Sequence, residues 1–128
     1  MSATNDLLPR ALVVDDDETI IDQATPVMHK MGFAVERSFD GLDALRRCQS
    51  SRFDIVVCDV RMPRLSGLSF LNNLAYTPNA QSKIIMISAI DDHAIRRHAL
   101  ASGAFAYLVK PIATQVLRDA IGKLPLKL

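Results

Sequence analysis

Four places in the sequence put reactive oxygen or nitrogen groups directly after short apolar runs. Asp15, Asp16 and Asp17 follow Val14, Asp59 follows Cys58, Ser88 follows Ile87, and the pair Lys110 and Pro111 follows Val109. If those runs are strands of one parallel sheet, their carboxyl ends form a single rim, and ligands of such sheets bind beyond that rim. The rim then carries crowded carboxylates, a hydroxyl and an ammonium. Crowded carboxylates repel each other, and a hard divalent cation with oxygen ligands relieves the repulsion. Magnesium suits the site: it keeps several waters, needs few protein oxygens and readily takes a phosphoryl oxygen as a further ligand. Asp59, at the end of a central run, is the natural nucleophile. An aspartate that attacks phosphorus needs charge compensation on the transferring group, which the cation, Lys110 and the Ser88 hydroxyl would supply.

The elements that must position these groups are visible in the apolar pattern. Ala11 to Val14, Phe53 to Cys58, Ile84 to Ile87 and Phe105 to Val109 are too short and too β-branched for buried helices, and predict strands covered on both faces. Phe33 to Ser38 alternates more weakly and suits an edge strand. Between the runs, Ile21, Ala24, Met28 and Met31 recur at helical spacing and Gly32 supplies a stop. Leu42, Leu45 and Cys48 form a second stripe after Asp40, and Leu68, Leu71 and Leu74 a third after Gly67. Asp91 and Asp92 open a segment with Ile95 and Ala99 on one face. Arg96, Arg97 and His98 lie nearer its end and Gly103 stops it, an order of charge that suits the helix dipole. Thr114 to Ile121, with Val116, Leu117 and Ile121 apolar, closes the chain. This alternation predicts an α/β fold: a five-stranded parallel sheet with helices on both faces, joined by right-handed crossovers. Pro26 falls inside the first helix, where it removes a backbone donor, so a bend near Asp22 is expected, not a break.

Bulk composition narrows the function classes. The 128 residues, 49% apolar and 23% charged, fit one globular domain. Net charge is +1, from 15 basic and 14 acidic side chains, so no global field favours nucleic acid as a partner. Cys48 and Cys58 have neither zinc-ligand nor disulfide-framework spacing and read as buried, reduced thiols. No secretory signal and no membrane-length apolar run is visible, which predicts a cytoplasmic protein without membrane partners.

Each candidate also has a plainer reading. Asp15 to Glu18 would favour a helix N-terminus, and a lone Asp59 or Ser88 after a strand would most often be a turn or cap residue. Lys110 alone would be a solvated charge, and Tyr107 a partly buried ring whose hydroxyl reaches water. Phe105 reads as packing, and His93 and His98 as solvated. What sets the plain readings aside is the combination. L-V-V-D-D-D at 12 to 17, D-I-V-V-C-D-V-R-M-P-R-L-S-G-L at 54 to 68, I-S-A at 87 to 89 and G-A-F-A-Y-L-V-K-P at 103 to 111 stand in order and at characteristic separations. With these motifs the sequence resembles a bacterial two-component response-regulator receiver domain, CheY-like, over residues 10–124, with an N-terminal extension (1–9) and a C-terminal tail (125–128) outside it.

The resemblance implies the flavodoxin-like strand order 2-1-3-4-5. It implies Asp59 as phosphoacceptor and a magnesium site made by Asp16 directly, Asp15 partly through water, Asp59, and the backbone carbonyl of Arg61. Ser88 and Tyr107 would form a coupled switch pair. Lys110, set by a cis bond to Pro111, would pair with a phosphoryl oxygen, and the small Ala89 would leave the approach to Asp59 open. The face made by the fourth helix, fifth strand and fifth helix, including Arg96, Arg97 and Tyr107, would meet partners. Those partners are a histidine kinase or histidine phosphotransfer protein upstream, and a protein target or output domain downstream. Two positions depart from the common pattern: Ser66 stands where aspartate is frequent, and Ala113 where a capping residue is frequent, leaving Thr114 to cap one residue late. Arg61 and Ile90 flank the site where side chains set how long the phosphoryl group survives.

Two other functions compete. A haloacid-dehalogenase-like phosphatase also forms a magnesium-bound aspartyl phosphate, but carries a second aspartate two residues after the nucleophile, where this chain has Arg61. A receiver-like interaction module acting without phosphorylation would not need the intact set of Asp16, Asp59, Ser88 and Lys110. No phosphate-cradling glycine motif occurs among the five glycines.

Overall fold

The computed structural model describes residues 8–125, so most of the expected extension and tail (1–7 and 126–128) lies outside the described residues. Five strands, β1 (Arg10–Val14), β2 (Ala34–Ser38), β3 (Ile55–Asp59), β4 (Lys83–Ser88) and β5 (Ala106–Val109), alternate with five helices. The helices are α1 (Glu18–Lys30), α2 (Gly41–Ser50), α3 (Gly67–Asn73), α4 (His93–Ala101) and α5 (Thr114–Gly122), and a short 3-10 turn, Leu74–Tyr76, follows α3. All pairings are parallel and the order is β2-β1-β3-β4-β5, as the resemblance implies, with the weakly alternating β2 at an edge.

Three aromatic residues expected to begin strands lie just outside them, for local reasons. Phe33 N–H donates to Met28 O at 3.0 Å and closes α1, and Phe53 N–H donates to Asn79 Oδ1 at 2.7 Å. Phe105 N–H does reach Ile84 O at 2.7 Å, yet its side chain is 41% exposed rather than packed, against the plain reading of the sequence.

Period-two alternation divides the strand side chains between two cores. Leu12, Val14, Val56, Cys58, Ile84 and Met86 pack on one face with residues of α2, α3 and α4. Ala11, Val13, Ile55, Val57, Ile85 and Ile87 pack on the other with α1 and α5. Because both faces are covered, β1, β3 and β4 are apolar along nearly all their length, which is why they read as continuous runs.

Helix starts follow side-chain capping, worth about 1 kcal/mol each. Asp17 accepts from Thr19 N (2.9 Å), Asp40 from Asp43 N (2.8 Å), Ser66 from Ser69 N (3.2 Å) and Asp92 from Ala94 N (2.8 Å). Ala113 precedes α5 without any side-chain cap, and Thr114 lies inside the helix, so the late cap is not made. Burial of Leu117 and Ile121 holds α5 instead. Gly32 and Gly103 end α1 and α4 at φ of 98° and 109°, a region most side chains avoid. Pro26 sits within an unbroken α1, whose Ile21, Ala24 and Met28 are buried against the sheet. Among the described residues no helix is long and apolar enough to cross a membrane. Cys48 and Cys58 are free and buried, and burial pushes the Cys48 thiol up to about 12 and Cys58 well above its usual value.

Candidate functional site

Backbone hydrogen bonds continue one residue past β1, β3 and β5 and fix the rim. Asp15 N donates to Ser38 O (3.1 Å), Val60 N to Ile87 O (2.9 Å) and Lys110 N to Ser88 O (2.7 Å). The register sets Asp59 beside Ile87 and Ser88 beside Val109, so the residues at strand ends meet in space although they are far apart in sequence. Asp15, Asp16 and Asp59 each bring a carboxylate oxygen to within 4.8 Å of the others. Asp15 is fully buried, Asp59 is 5% exposed, and Asp16 is exposed. The Lys110 ammonium lies 2.9 Å from Asp15 Oδ2 and 3.4 Å from Asp59 Oδ2, bridging the two buried acids. The peptide bond from Lys110 to Pro111 is cis, as expected.

The electrostatics of the cluster follow from burial. Desolvation is the largest effect on Asp59, reinforced by the charge of Asp15 and opposed by Lys110 and the Arg61 N–H, and its pKa is raised to about 6. Desolvation also raises Asp15, against the Lys110 ammonium and the Asp17 N–H. On Lys110, burial is the largest effect and acts to lower the pKa, but the combined ion pairing with Asp15 and Asp59 outweighs it and the net direction is upward. By formal charge three carboxylates gather near one ammonium, an excess of two negative charges. Asp15 Oδ2, buried, makes the Lys110 ion pair without the alignment of a hydrogen bond, so it keeps acceptor capacity. Three hard oxygens, a charge deficit of two and an under-coordinated buried acceptor fit a hard divalent cation.

The plainer reading of the aspartate run is also realised, but by a different residue. Asp17 caps α1 and its own N–H goes to Asp15 Oδ1 at 2.9 Å, which leaves Asp16 and the second oxygen of Asp15 for the rim. Ser88 is buried, and its hydroxyl accepts from Ile90 N at 3.1 Å, so its proton stays available to donate. Ala89 is exposed beside it, and Arg61 is exposed on the loop after Asp59. Tyr107 differs from the plain expectation of a water-reaching hydroxyl: it is 4% exposed and its hydroxyl donates to Ile90 O at 2.8 Å. Of the expected partner-facing residues, Arg97 is exposed on α4, whereas Arg96 lies over the Tyr107 ring at 4.9 Å.

Three supporting contacts have no signal in the sequence strong enough to single them out. A Cβ on Gly67 would stand 2.0 Å from the carbonyl oxygen of Asp59, so α3 closes onto the backbone of the site only because that residue lacks a side chain. Arg64, at φ 71°, pairs with Asp40 at 3.3 Å and ties the loop after β3 to the start of α2. Asn79, in an unremarkable polar loop, accepts from Phe53 N and donates to Cys48 O and Ser51 O, all at 2.7 Å.

Comparison with known proteins agrees with this geometry. Residues 11–122 match the response regulator receiver domain family. The response regulator MprA of Mycobacterium ulcerans (strain Agy99) is 38% identical over 108 residues, covering 84% of this chain and 46% of MprA. A gliding motility regulatory protein of Myxococcus xanthus is 34% identical over 117 residues, which are 90% of this chain and 15% of that protein. The chain thus spans less than half the length of either curated relative. A CheY-like receiver domain protein from Methanospirillum hungatei JF-1 superposes with a TM-score of 0.84 at 26% identity, covering 91% of this chain and 92% of that one. A rim of strand ends that gathers three carboxylates and a lysine, on this sheet order and with this family match, has one reading: the chain belongs to the receiver domains of two-component response regulators.

Proposed function

We propose that Asp59 accepts a phosphoryl group from a phosphohistidine on a histidine kinase or histidine phosphotransfer protein, and that the phosphorylated domain, residues 10–124, is read by a downstream target or output domain in the cytoplasm. The gathering of Asp15, Asp16 and Asp59 within 4.8 Å under the Lys110 ammonium is the observation that carries this reading. Asp15, Asp16, Asp59 and the backbone carbonyl of Arg61 would hold a magnesium ion. When bound, the ion supplies positive charge against the oxygens of the transferring group.

The chain's own residues do the rest. A carboxylate oxygen of Asp59, ionised above about pH 6, attacks phosphorus as the bond from phosphorus to the donor nitrogen breaks. Lys110 exchanges part of its contact with the two acids for a phosphoryl oxygen, and the Ser88 hydroxyl donates to another. Ala89 keeps the approach open. Rotation of Ser88 toward the phosphoryl group draws on Ile90 N, its present donor, and through the Ile90 backbone on Tyr107, which bonds the carbonyl of the same residue. Differential bonding of a few kcal/mol between two conformers suffices to shift their populations, and the face bearing Tyr107, Arg96 and Arg97 changes with them.

Intact-mass analysis after incubation with magnesium and acetyl phosphate tests the proposal. The parent domain is expected to gain one phosphoryl mass and the Asp59→Asn variant none. Failure of the parent to gain it refutes the reading, and continuous release of phosphate without accumulation would mark a turnover phosphatase instead.

A further inference from the structure

Arg96 belongs to the Tyr107 switch rather than to a free partner surface. Its guanidinium carbon stands 4.9 Å from the centre of the Tyr107 ring, within range of a cation–π contact. Nη1 reaches toward Tyr107 O at 3.4 Å, and Nη2 pairs with Asp91 Oδ1 at 3.7 Å. Beneath this lid the Tyr107 hydroxyl donates to Ile90 O at 2.8 Å, and Ile90 N donates to Ser88 Oγ at 3.1 Å. One residue, Ile90, therefore meets both switch hydroxyls, through its N–H and its carbonyl, and Arg96 covers the ring at the outer end of the chain of bonds. Every contact in the set is made by groups of the chain itself, so none of them requires a bound phosphoryl group.

We propose that Arg96 is a positioning residue that latches Tyr107 in its inward orientation, so that the partner face is biased toward the inward-tyrosine form before phosphorylation. This rests on the reading that Tyr107 is part of the phosphorylation switch. Turning the ring outward breaks the hydroxyl bond to Ile90 and also lifts the ring away from the guanidinium. A latch held by a planar cation is removed by a neutral side chain of equal reach, whereas a latch held by packing alone is not. The position thus sets how far phosphorylation has left to move the equilibrium.

The chain holds two tyrosines and no tryptophan, so Tyr76→Phe leaves Tyr107 as the sole tyrosine. Tyr76 is 88% exposed, and its replacement leaves the core untouched. With 3-fluorotyrosine incorporated into this background, ¹⁹F NMR reads the inward and outward populations of ring 107 directly. Arg96→Ala and Arg96→Met are each expected to raise the outward-to-inward ratio about 3- to 10-fold, the effect of losing one cation–π contact and one weak hydrogen bond. Arg96→Lys, which keeps the cation, should retain most of the parent ratio. Far-UV circular dichroism of each variant confirms that the change is local. A parent-like ratio in Arg96→Ala, or in Arg96→Met, overturns the latch. Intact mass after acetyl phosphate treatment is read separately: a domain whose ring is released in Arg96→Ala but which gains no phosphoryl mass supports the latch and refutes the signalling function proposed above.

Discussion

Replacing Asp59 with asparagine should make the metal-free domain more stable, even though it removes the proposed phosphoacceptor. The folded state raises this carboxyl from 3.8 to about 6, roughly two units, and each unit corresponds to about 1.4 kcal/mol between protonation states. The sign follows from linkage. Below pH 4 the carboxyl is protonated in both folded and unfolded chains and imposes no penalty. As pH rises toward and through 6, the unfolded chain ionises freely while the folded chain must ionise beside Asp15 in a desolvated site, so stability is lost. Above that range the loss is constant at about 3 kcal/mol. Asparagine has nearly the same shape and no charge. It should therefore recover about 1–3 kcal/mol at pH 7.5, the lower figure allowing for the Lys110 contact that asparagine makes less well.

Urea denaturation in EDTA, followed by far-UV circular dichroism because the chain lacks tryptophan, measures the difference at pH 4, 5, 6 and 7.5. The two proteins should be close at pH 4 and diverge through pH 6. Millimolar magnesium should then narrow the gap at pH 7.5 by stabilising the parent, since a cation that binds only the folded acidic cluster raises its stability by mass action. Equal stability at pH 7.5, or a gap that does not change with pH, would refute the electrostatic account of the rim.

Gly67→Ala places a methyl 2.0 Å from Asp59 O and should destabilise the domain by about 2–3 kcal/mol, with a parallel fall in the rate of mass gain from acetyl phosphate. Asn79→Ala strands the Phe53 N–H and the Cys48 and Ser51 carbonyls in or near the core. A loss of roughly 2–4 kcal/mol in urea denaturation is expected, with phosphorylation of the folded fraction unchanged. The Ser38 hydroxyl and then Arg47 hold Asp43 below the usual carboxylate range, so its contribution is present above about pH 4 and lost as pH falls through its folded value. Asp43→Asn should lower the melting temperature slightly at pH 7, by the equivalent of less than about 1 kcal/mol for a part-exposed pair, and by progressively less as pH falls below about 4.

The rim was legible in the sequence because two constraints coincide there. Strands covered on both faces must be apolar along their length, so Asp15, Asp59, Ser88 and Lys110 stand out as the first polar residues after each run. Parallel pairing then sends all four to one edge. Contacts that depend on side-chain reach across elements were not legible in this way. Arg96 and Tyr107 lie on different elements, and nothing in the composition of α4 distinguishes an arginine that covers a ring from Arg97, which faces solvent. Asn79 bonds to residues 26 to 31 positions away, while its neighbours read as an ordinary turn. The uncapped α5 shows the converse, a local signal overridden by burial of Leu117 and Ile121.

Lys110 explains how so much negative charge can sit at a rim that must also move. At 2.9 Å from Asp15 and 3.4 Å from Asp59 it is the domain's own counter-ion, fixed at its backbone by the bond to Ser88 O but free along four methylenes. One ammonium cannot neutralise three carboxylates, and the charge of Asp15 adds to the desolvation that raises the pKa of Asp59. On the proposed function, a divalent cation would relieve the imbalance and leave the ammonium available for a phosphoryl oxygen. The backbones just after β1, β3 and β5 are each tied to a neighbouring strand end. On the same proposal, Ile90, whose N–H is bonded to Ser88 and whose carbonyl is bonded to Tyr107, would carry a change at the rim to the outer face.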